Sequence, residues 1–241
     1  MKKLNLDLVD FHAHILPGAD HGSNSLQVSS HQLEYAMNTG VKRIIATPHF
    51  YPHYHTVEKF LSRREKAYYN LKEILNDNTP EIRVGAEVLL CENLNKIPEL
   101  SEFCICGTKT LLLELPFSDI SDAHVKTVAE IIAQGFDVVL AHADKYASSD
   151  IEKFIPLGVK LQLNAMAFST VFKRANLYDW LDKKLVVALG SDIHMKDRRA
   201  YRTFSKTVVK LGDALSNVTA ESNKIWEKSK EYEIKIKQRT E

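Results

Sequence analysis

This sequence has few cysteines, almost no net charge and no long apolar runs. The chain of 241 residues has three cysteines, and its 32 Lys and Arg residues balance 31 Asp and Glu residues. The spacing of Cys91, Cys104 and Cys106 fits neither a zinc ribbon nor a disulfide framework, so we expect packing thiols in a reducing compartment. The balanced charge provides no basic field, so no nucleic-acid partner is expected.

Targeting and membrane signals are missing as well. The N-terminal run MKKLNLDLVD contains lysines but no apolar stretch long enough for a signal peptide, and no later stretch is long enough to span a bilayer. We therefore expect a cytoplasmic protein without membrane insertion. The sequence does not indicate an oligomeric state.

Several common catalytic motifs are also absent. No cysteine is followed by arginine at the spacing of a Cys-x5-Arg phosphate-binding loop, and neither GxxxxGK[ST] nor GxSxG occurs. Cysteine-dependent phosphoester hydrolysis of that type is therefore excluded. Nucleotide-loop and serine-hydrolase functions lose their main support.

The sequence does contain apolar strand patterns that alternate with amphipathic helix patterns. The predicted helices are Leu26 to Thr39, Val57 to Asn76, Ser121 to Gln134, Asp150 to Leu157, Leu177 to Lys184, Arg199 to Leu211 and Glu221 to Tyr232. The seven predicted strands lie in DLVDFHAH, VKRIIATPH, IRVGAEVLL, KTLLLELP, DVVLAH, VKLQLNA and VVALGSDIH. Strands that are apolar on both faces and alternate with helices are typical of a parallel sheet covered by helices. We predict one α/β domain over residues 1–241, built as a closed or nearly closed barrel.

Two histidines stand at the exit of the first predicted strand. His12 and His14 are separated by one residue, so on a strand they share a face. Neutral imidazole is the commonest side-chain ligand of borderline-soft cations. The pair alone is equally compatible with a solvated edge strand. Asp10, Asp20 and His21 are close enough in sequence to add donors.

Similar side chains occur near the ends of the other predicted strands. Besides the first pair, they are His49, Glu87, Glu114, His142, Asp192 and His194. Working residues in a β/α barrel lie at the C-terminal ends of the strands, and a buried carboxylate needs a partner. One such residue alone could serve as a cap, but the whole set exceeds what one ion can use. The sequence predicts two or three ions, and an imidazole and carboxylate set suits Mn²⁺, Fe or Zn²⁺.

The motifs of this chain resemble those of the PHP (polymerase and histidinol phosphatase) superfamily. The resemblance is carried, in order along the chain, by DFHAHILPGADHGS, ATPH, GAEV, LLLELP, LAHADKY and GSDIH. Within the superfamily, the chain is most similar to the capsule and exopolysaccharide-associated bacterial protein-tyrosine phosphatases of the CpsB/YwqE type. The resemblance implies a distorted seven-stranded, TIM-like (β/α)7 barrel with three metal ions, often manganese.

The resemblance also implies which side chains hold each ion. The ligands of the first ion would be His12, His14, Glu87 and Asp192. Those of the second ion would be Glu87, Glu114 and His142. Those of the third ion would be His49, His194 and His21.

Three features depart from the family pattern. His21 stands where the family commonly has Asp, so the third site loses one negative charge. Lys145 ends an Ala-Asp-Lys run where the family usually has Pro-Glu-Arg, so a point charge replaces the bidentate fork that grips phosphate. Arg199 does match the family's second phosphate-binding arginine. His53 and His55 add imidazoles, for which exposed loop positions are predicted.

The predicted function is a metal-dependent phosphomonoesterase that uses metal-activated hydroxide, with Arg199 and Lys145 holding the phosphoryl oxygens. The expected substrate is the phosphotyrosine tail of a membrane-associated bacterial tyrosine autokinase of capsule or exopolysaccharide export. One alternative is a small-molecule phosphatase of the histidinol-phosphate type on the same fold. The other is a weakly active or inactive regulatory module that binds phosphotyrosine.

Overall fold

The computed structural model describes residues 8–169 and 175–233; the predicted domain limits at residues 1 and 241 lie outside them. One sheet contains nine strands in this part of the chain. They are β1 (Asp10–Ala13), β2 (Arg43–Ala46), β3 (His49–Phe50), β4 (Glu81–Val84), β5 (Glu87–Leu89), β6 (Thr110–Glu114), β7 (Asp137–Leu140), β8 (Lys160–Asn164) and β9 (Val186–Gly190). The order is β3-β5-β6-β7-β8-β9-β1-β2-β4, and the paired strands are parallel. The protein thus has an α/β fold with a curled, TIM-barrel-like sheet.

The predicted count of seven strands is wrong, because two predicted strands are each broken into two. The segment VKRIIATPH forms β2 and β3 on either side of Thr47-Pro48, where proline has no N–H to give to the ladder. The segment IRVGAEVLL forms β4 and β5 on either side of Gly85-Ala86. The two breaks lie side by side, since β2 pairs with β4 and β3 pairs with β5.

Seven α-helices accompany the strands in the described residues. They are α1 (Leu26–Thr39), α2 (Val57–Lys72), α3 (Asp122–Ala133), α4 (Ser148–Glu152), α5 (Ala175–Asp182), α6 (Arg198–Leu211) and α7 (Ser216–Lys228). The prediction for α1 is confirmed at both ends. The Ser25 side chain accepts a hydrogen bond from the Val28 amide, and Gly40 ends the helix at a φ of 88°.

The other predicted helices differ from the structure mainly at their ends. Helix α2 stops at Lys72 instead of continuing to Asn76, and the last helix starts earlier than predicted, at Ser216. The predicted helix Asp150 to Leu157 is instead α4 followed by a 3₁₀ turn at Ile155–Leu157. None of the helices in the described ranges has both the length and the apolar character needed to cross a membrane.

Two apolar clusters hold the sheet in place. The larger one packs the helices against the strands and includes the buried Cys91 and Cys104, as expected for packing thiols. The smaller one consists of Val9, Phe11, Ile45, Ile105, Leu112, Val139, Ala141, Val187, Ala188 and Trp226. Strand β6 shows how this packing positions a polar group. Because side chains alternate along a strand, Glu114 lies on the same face as Leu112 of the smaller cluster, and Leu111 and Leu113 join the larger one.

Candidate metal centre

The structure brings the nine predicted ligands together at one rim of the sheet. They come from the ends of β1, β6, β7 and β9, from the starts of β3 and β5, and from the loop after β1. Six of these nine residues are buried; Asp192 and His194 are half-buried, and His21 is exposed. Three groups of their ligand atoms are close enough to hold a cation, with atoms within 4.8 Å of one another.

The first group consists of His12, His14 and Glu87, and Asp192 lies beside it. His12 Nε2 lies 3.0 Å from both His14 Nε2 and Glu87 Oε2, and His14 Nε2 lies 3.2 Å from the same oxygen. Asp192 Oδ1 lies 3.8 Å from His12 Nε2 and 3.6 Å from His14 Nε2. Ligands about 2.1 Å from a tetrahedral ion lie about 3.4 Å from one another, so the spacing of these four atoms suits a shared cation.

The second group consists of His49, Glu87 and Glu114, and His142 lies beside it. His142 Nε2 lies 2.7 Å from Glu87 Oε1 and 3.5 Å from Glu114 Oε1. His49 Nδ1 lies 3.0 Å from Glu87 Oε2 and 3.7 Å from Glu114 Oε2. The two oxygens of Glu87 therefore face different imidazoles, as in a carboxylate that bridges two ions.

The third group is made of imidazoles. Ligand atoms of His14, His49 and His194 lie within reach of one cation. The ring of His21 is centred 4.8 Å from that of His49 and 4.9 Å from that of His194. His49 thus stands between the second and third groups, whereas the resemblance had assigned it to the third alone.

Neighbouring side chains set the proton positions on the first two histidines. His12 Nδ1 donates to Gln162 Oε1 at 3.0 Å, and His14 Nδ1 donates to Asp20 Oδ2 at 2.7 Å. In each ring the proton on Nδ1 leaves the Nε2 lone pair directed toward Glu87. The Asp20 carboxylate thus accepts from His14 Nδ1 and also from the backbone amide of His49. It therefore orients two predicted metal ligands, and its oxygens are not free to act as a further ligand.

A polar network on β8, which was not predicted from the sequence, extends this support. Gln162 Oε1 also accepts from the His142 amide at 2.6 Å, and its Nε2 donates to Asn164 Oδ1. Asn164 Nδ2 in turn donates to Asp192 Oδ2 at 2.7 Å. The available signal was two polar residues inside the buried strand Lys160–Asn164.

Asp10, considered as a possible further donor, serves a structural role in this structure. Its carboxylate accepts from the Ser191 amide at 2.8 Å and from the Ser191 hydroxyl at 2.7 Å, which ties β1 to the segment after β9. Burial raises the pKa of Asp10 to about 6, although these hydrogen bonds oppose the shift.

The charges at the rim are strongly coupled. Burial alone would raise the pKa of Glu87, but the surrounding imidazoles, His12 foremost, hold it well below its usual range. Burial would lower the pKa of His142, but Glu114 and Glu87 raise it to about 9. Burial and the nearby His14 lower the pKa of His194 to about 4. The rim therefore contains ionised buried carboxylates that require positive charge beside them.

Two buried ring nitrogens and two backbone conformations support metal binding. His142 Nδ1 has no hydrogen-bond partner among the described residues, and His49 Nδ1 forms no hydrogen bond although it lies 3.0 Å from Glu87 Oε2. His142 and Asp192 are held in left-handed backbone conformations, with φ values of 33° and 51°, which non-glycine residues adopt mainly at functional sites and tight turns. Together with the imidazole and carboxylate donors, these features fit a group of divalent cations.

The two predicted phosphate-binding residues lie in different surroundings. Lys145 Nζ lies 2.8 Å from Asp192 Oδ2, so its charge is directly beside the first group. Burial would lower the pKa of Lys145, but Asp192 raises it above its ordinary value. The Arg199 side chain is 83% exposed and its Nε contacts Asp197 Oδ1 at 3.2 Å, near the start of α6. Its role in phosphate binding stays a prediction.

A cleft of about 500 Å³ opens beside the third group. Its lining includes His21, His49, Tyr51, Tyr54, His55 and Arg63, and we call it the side cleft. His53 is exposed, as predicted for the loop after β3. His55 differs from its prediction, because it is partly buried and forms part of the cleft wall.

The contact of Gln162 with His12 leads to a testable prediction. Replacing Gln162 with Met keeps a side chain of similar length but removes the acceptor for His12 Nδ1 and for the His142 amide. We expect metal affinity to fall about 10–100-fold, the usual cost of losing such a supporting partner. Calorimetric titration of metal-free protein with Mn²⁺ measures the change. The control is the same replacement at Gln27, an exposed residue of α1. If Q162M and Q27M bound Mn²⁺ with equal affinity, Gln162 would not support the ligand His12.

Comparison with known proteins gives three results. A family model described as capsular polysaccharide synthesis, CpsB/CapC, matches residues 8–217. The tyrosine-protein phosphatase YwqE of Bacillus subtilis (strain 168) is 26% identical over 213 residues, with 81% of each sequence covered. The structure is also similar to a chain from the crystal structures of YwqE from Bacillus subtilis and CpsB from Streptococcus pneumoniae, described as unique metal-dependent tyrosine phosphatases. That similarity has a TM-score of 0.78 at 20% identity, and it covers 93% of this chain and 96% of the other. The chain therefore shares their fold.

Proposed function

The chain belongs to the CpsB/CapC family of capsular polysaccharide synthesis proteins, and on that premise we propose that it is a metal-dependent protein-tyrosine phosphatase. The main support is the position of Glu87, which is fully buried with imidazoles of three strand segments around it. Such a carboxylate is suited to bridge two cations. The relative YwqE, named a tyrosine-protein phosphatase, supports the substrate class.

We propose Mn²⁺ as the bound metal, in two to three ions, with Fe or Zn²⁺ as the alternatives. The first ion would be held by His12, His14, Glu87 and Asp192. The others would be held by Glu87, Glu114, His142, His49, His194 and His21. When bound, such ions supply a water-derived nucleophile at neutral pH and offset the charge of the phosphoryl oxygens.

Other side chains of this chain would bind and orient the phosphate ester. Lys145, whose Nζ lies 2.8 Å from Asp192 Oδ2, would place its ammonium on a phosphoryl oxygen beside the first group. Arg199 would approach the same phosphoryl group from the start of α6. The leaving phenolate of phosphotyrosine is stable as an anion, so the chain needs no strong general acid for this substrate.

The proposed physiological substrate is the phosphotyrosine tail of a tyrosine kinase of capsule or exopolysaccharide export. An extended tail can place one phosphotyrosine at the rim because the third group opens directly into the side cleft. No part of this proposal requires a covalent enzyme intermediate, since the site provides metal ligands and phosphate-binding cations.

One observation favours a second candidate, a module that binds phosphotyrosine with little turnover. The Lys145 ammonium is already paired with Asp192, and a lysine offers one point charge where the family usually has an arginine fork. His21 also contributes no negative charge to the third group. The pairing of Lys145 weakens phosphate binding, while the missing charge at His21 weakens cation binding at the third group.

Hydrolysis assays with and without a chelator test the proposal. We expect the Mn²⁺-loaded protein to hydrolyse p-nitrophenyl phosphate and a phosphotyrosine peptide, to lose this activity in excess EDTA, and to regain it with added Mn²⁺. Histidinol phosphate is the comparison substrate for a small-molecule phosphatase. Binding of the peptide without hydrolysis would favour the second candidate. Full activity after chelation, with elemental analysis showing no bound metal, would contradict the proposal.

A further inference from the structure

The side cleft has an aromatic wall that leads away from the metal centre. The rings of His49 and Tyr51 are stacked with centroids 5.0 Å apart, and Tyr51 is in turn stacked on His55 at 6.1 Å. Tyr54 meets Tyr51 edge-on, and its side chain is 83% exposed. Flat aromatic surfaces of this kind accept the chain and side chains of a bound peptide.

Arg63 of α2 stands in the same cleft with unused hydrogen-bonding capacity. Its Nε and Nη2 atoms are buried and have no hydrogen-bond partner in the described part of the chain. A guanidinium is always charged and presents its donors in a rigid fork that matches a carboxylate. Burying such donors without acceptors is unfavourable, so a shift of the Arg63 side chain toward an anion in the cleft would be favoured.

The rest of the cleft leaves the charge of Arg63 available. The Asp20 carboxylate, which also lines the cleft, is occupied by the His14 ring and by the backbone amides of Gly22 and His49. Burial and the nearby Arg63 both lower the pKa of His55, which shows that Arg63 lies close to the His55 ring. The stacked rings of His49, Tyr51 and His55 thus run along the cleft from a predicted metal ligand, and Arg63 lies near the His55 end.

We infer that Arg63 binds an anionic side chain next to the phosphotyrosine and makes the enzyme selective for phosphotyrosine segments with an acidic neighbour. The inference rests on the proposed function, because it requires the phosphoryl group to be held at the metal centre. It goes beyond that function by assigning a specificity-determining residue and the chemistry of the flanking sequence that it recognises.

A set of phosphotyrosine peptides tests this assignment. Each peptide has a single Glu at one of the three positions before the phosphotyrosine or at one of the three positions after it. All the other flanking positions are Gln. We expect at least one Glu position to raise kcat/KM about tenfold over the all-Gln peptide, as for a charge-assisted hydrogen bond. R63Q should abolish that preference, R63K should keep part of it, and p-nitrophenyl phosphate should be hydrolysed equally by all three proteins.

The exposed Lys66 of the same helix provides a matched control, since K66Q removes one positive charge from α2 outside the lining of the cleft. This variant should keep the Glu preference. The inference is overturned if R63Q also keeps the preference, or if R63Q loses p-nitrophenyl phosphate turnover in the same proportion, because Arg63 would then act on the phosphoryl group itself.

A binding measurement separates this inference from the proposed function. Peptides with a non-hydrolysable phosphonate in place of the phosphate are titrated into Mn²⁺-loaded protein and followed by fluorescence anisotropy. If the wild-type protein hydrolyses no phosphotyrosine peptide, the proposed activity fails. The role of Arg63 would still be supported if the wild-type protein binds the Glu peptide more tightly than the Gln peptide and R63Q does not. Equal Kd values for Glu and Gln peptides in the wild-type protein would refute it.

Discussion

Replacing Glu87 with Gln is expected to lower p-nitrophenyl phosphate turnover more than about 100-fold, beyond the 10–100-fold cost of losing a supporting partner of a metal ligand. Glu87 has both carboxylate oxygens among ligand nitrogens, with Oε2 beside His12 and His14 and Oε1 beside His142. An amide has no negative charge, and its NH₂ group cannot ligate. Metal content should fall by at least one ion per chain, as measured by elemental analysis of the dialysed protein.

Glu92 provides the control for this change, because it is an exposed glutamate shortly after β5. E92Q should keep the metal content and turnover of the wild type. Circular dichroism of both variants shows whether the fold is kept. If E87Q retained both its metal and its turnover, the bridging role of Glu87 would be wrong.

The second large effect is expected at Gly22, where backbone and metal ligand pack directly against each other. A Cβ added at this position would lie 2.0 Å from the Cβ of His14 and 2.9 Å from the His14 carbonyl oxygen. Neither group can move far, since His14 is buried and its ring is held by Asp20. We expect G22A to lower the free energy of unfolding by about 1–3 kcal/mol, as for other overpacked sites. Displacement of His14 should also weaken Mn²⁺ binding.

Urea denaturation and calorimetric titration with Mn²⁺ measure the two effects of G22A. G85A is the matched control, since its added Cβ would meet its nearest neighbour, Ile105, at 3.4 Å, an ordinary contact. The packing described above would be wrong if G22A and G85A had the same unfolding curve and the same affinity for Mn²⁺. That result would show that the loop around Gly22 adjusts to the added methyl group.

Local signals in the sequence were sufficient to predict much of the fold. Helix α1 was predicted at both ends because its apolar spacing and the glycine that directly follows it, Gly40, are local signals. The breaks at Thr47-Pro48 and Gly85-Ala86 were missed, because the surrounding residues are apolar and extended on both sides. A strand continues only where its backbone groups find hydrogen-bond partners on the neighbouring strand. The two breaks lie side by side in the sheet, so each depends on a segment that is distant in the sequence.

The residues of the candidate site were predictable, but most of their supporting contacts were not. All predicted ligands except His21 are polar residues near the end of a predicted apolar strand, which is a pattern visible in one segment at a time; His21 lies in the loop after β1 and was assigned by the resemblance. Gln162 supports His12 from 150 residues away, so no local pattern links the two. Arg63 lies on an amphipathic helix with interleaved charges, where an arginine beside a cleft cannot be distinguished from one on a solvated face.

The most direct test is anomalous diffraction from crystals grown with excess Mn²⁺. The account predicts peaks at the rim, one surrounded by His12, His14, Glu87 and Asp192 and a second on the other side of Glu87, beside Glu114 and His142. Crystals of wild-type protein with active turnover and no manganese peak among these side chains would contradict it.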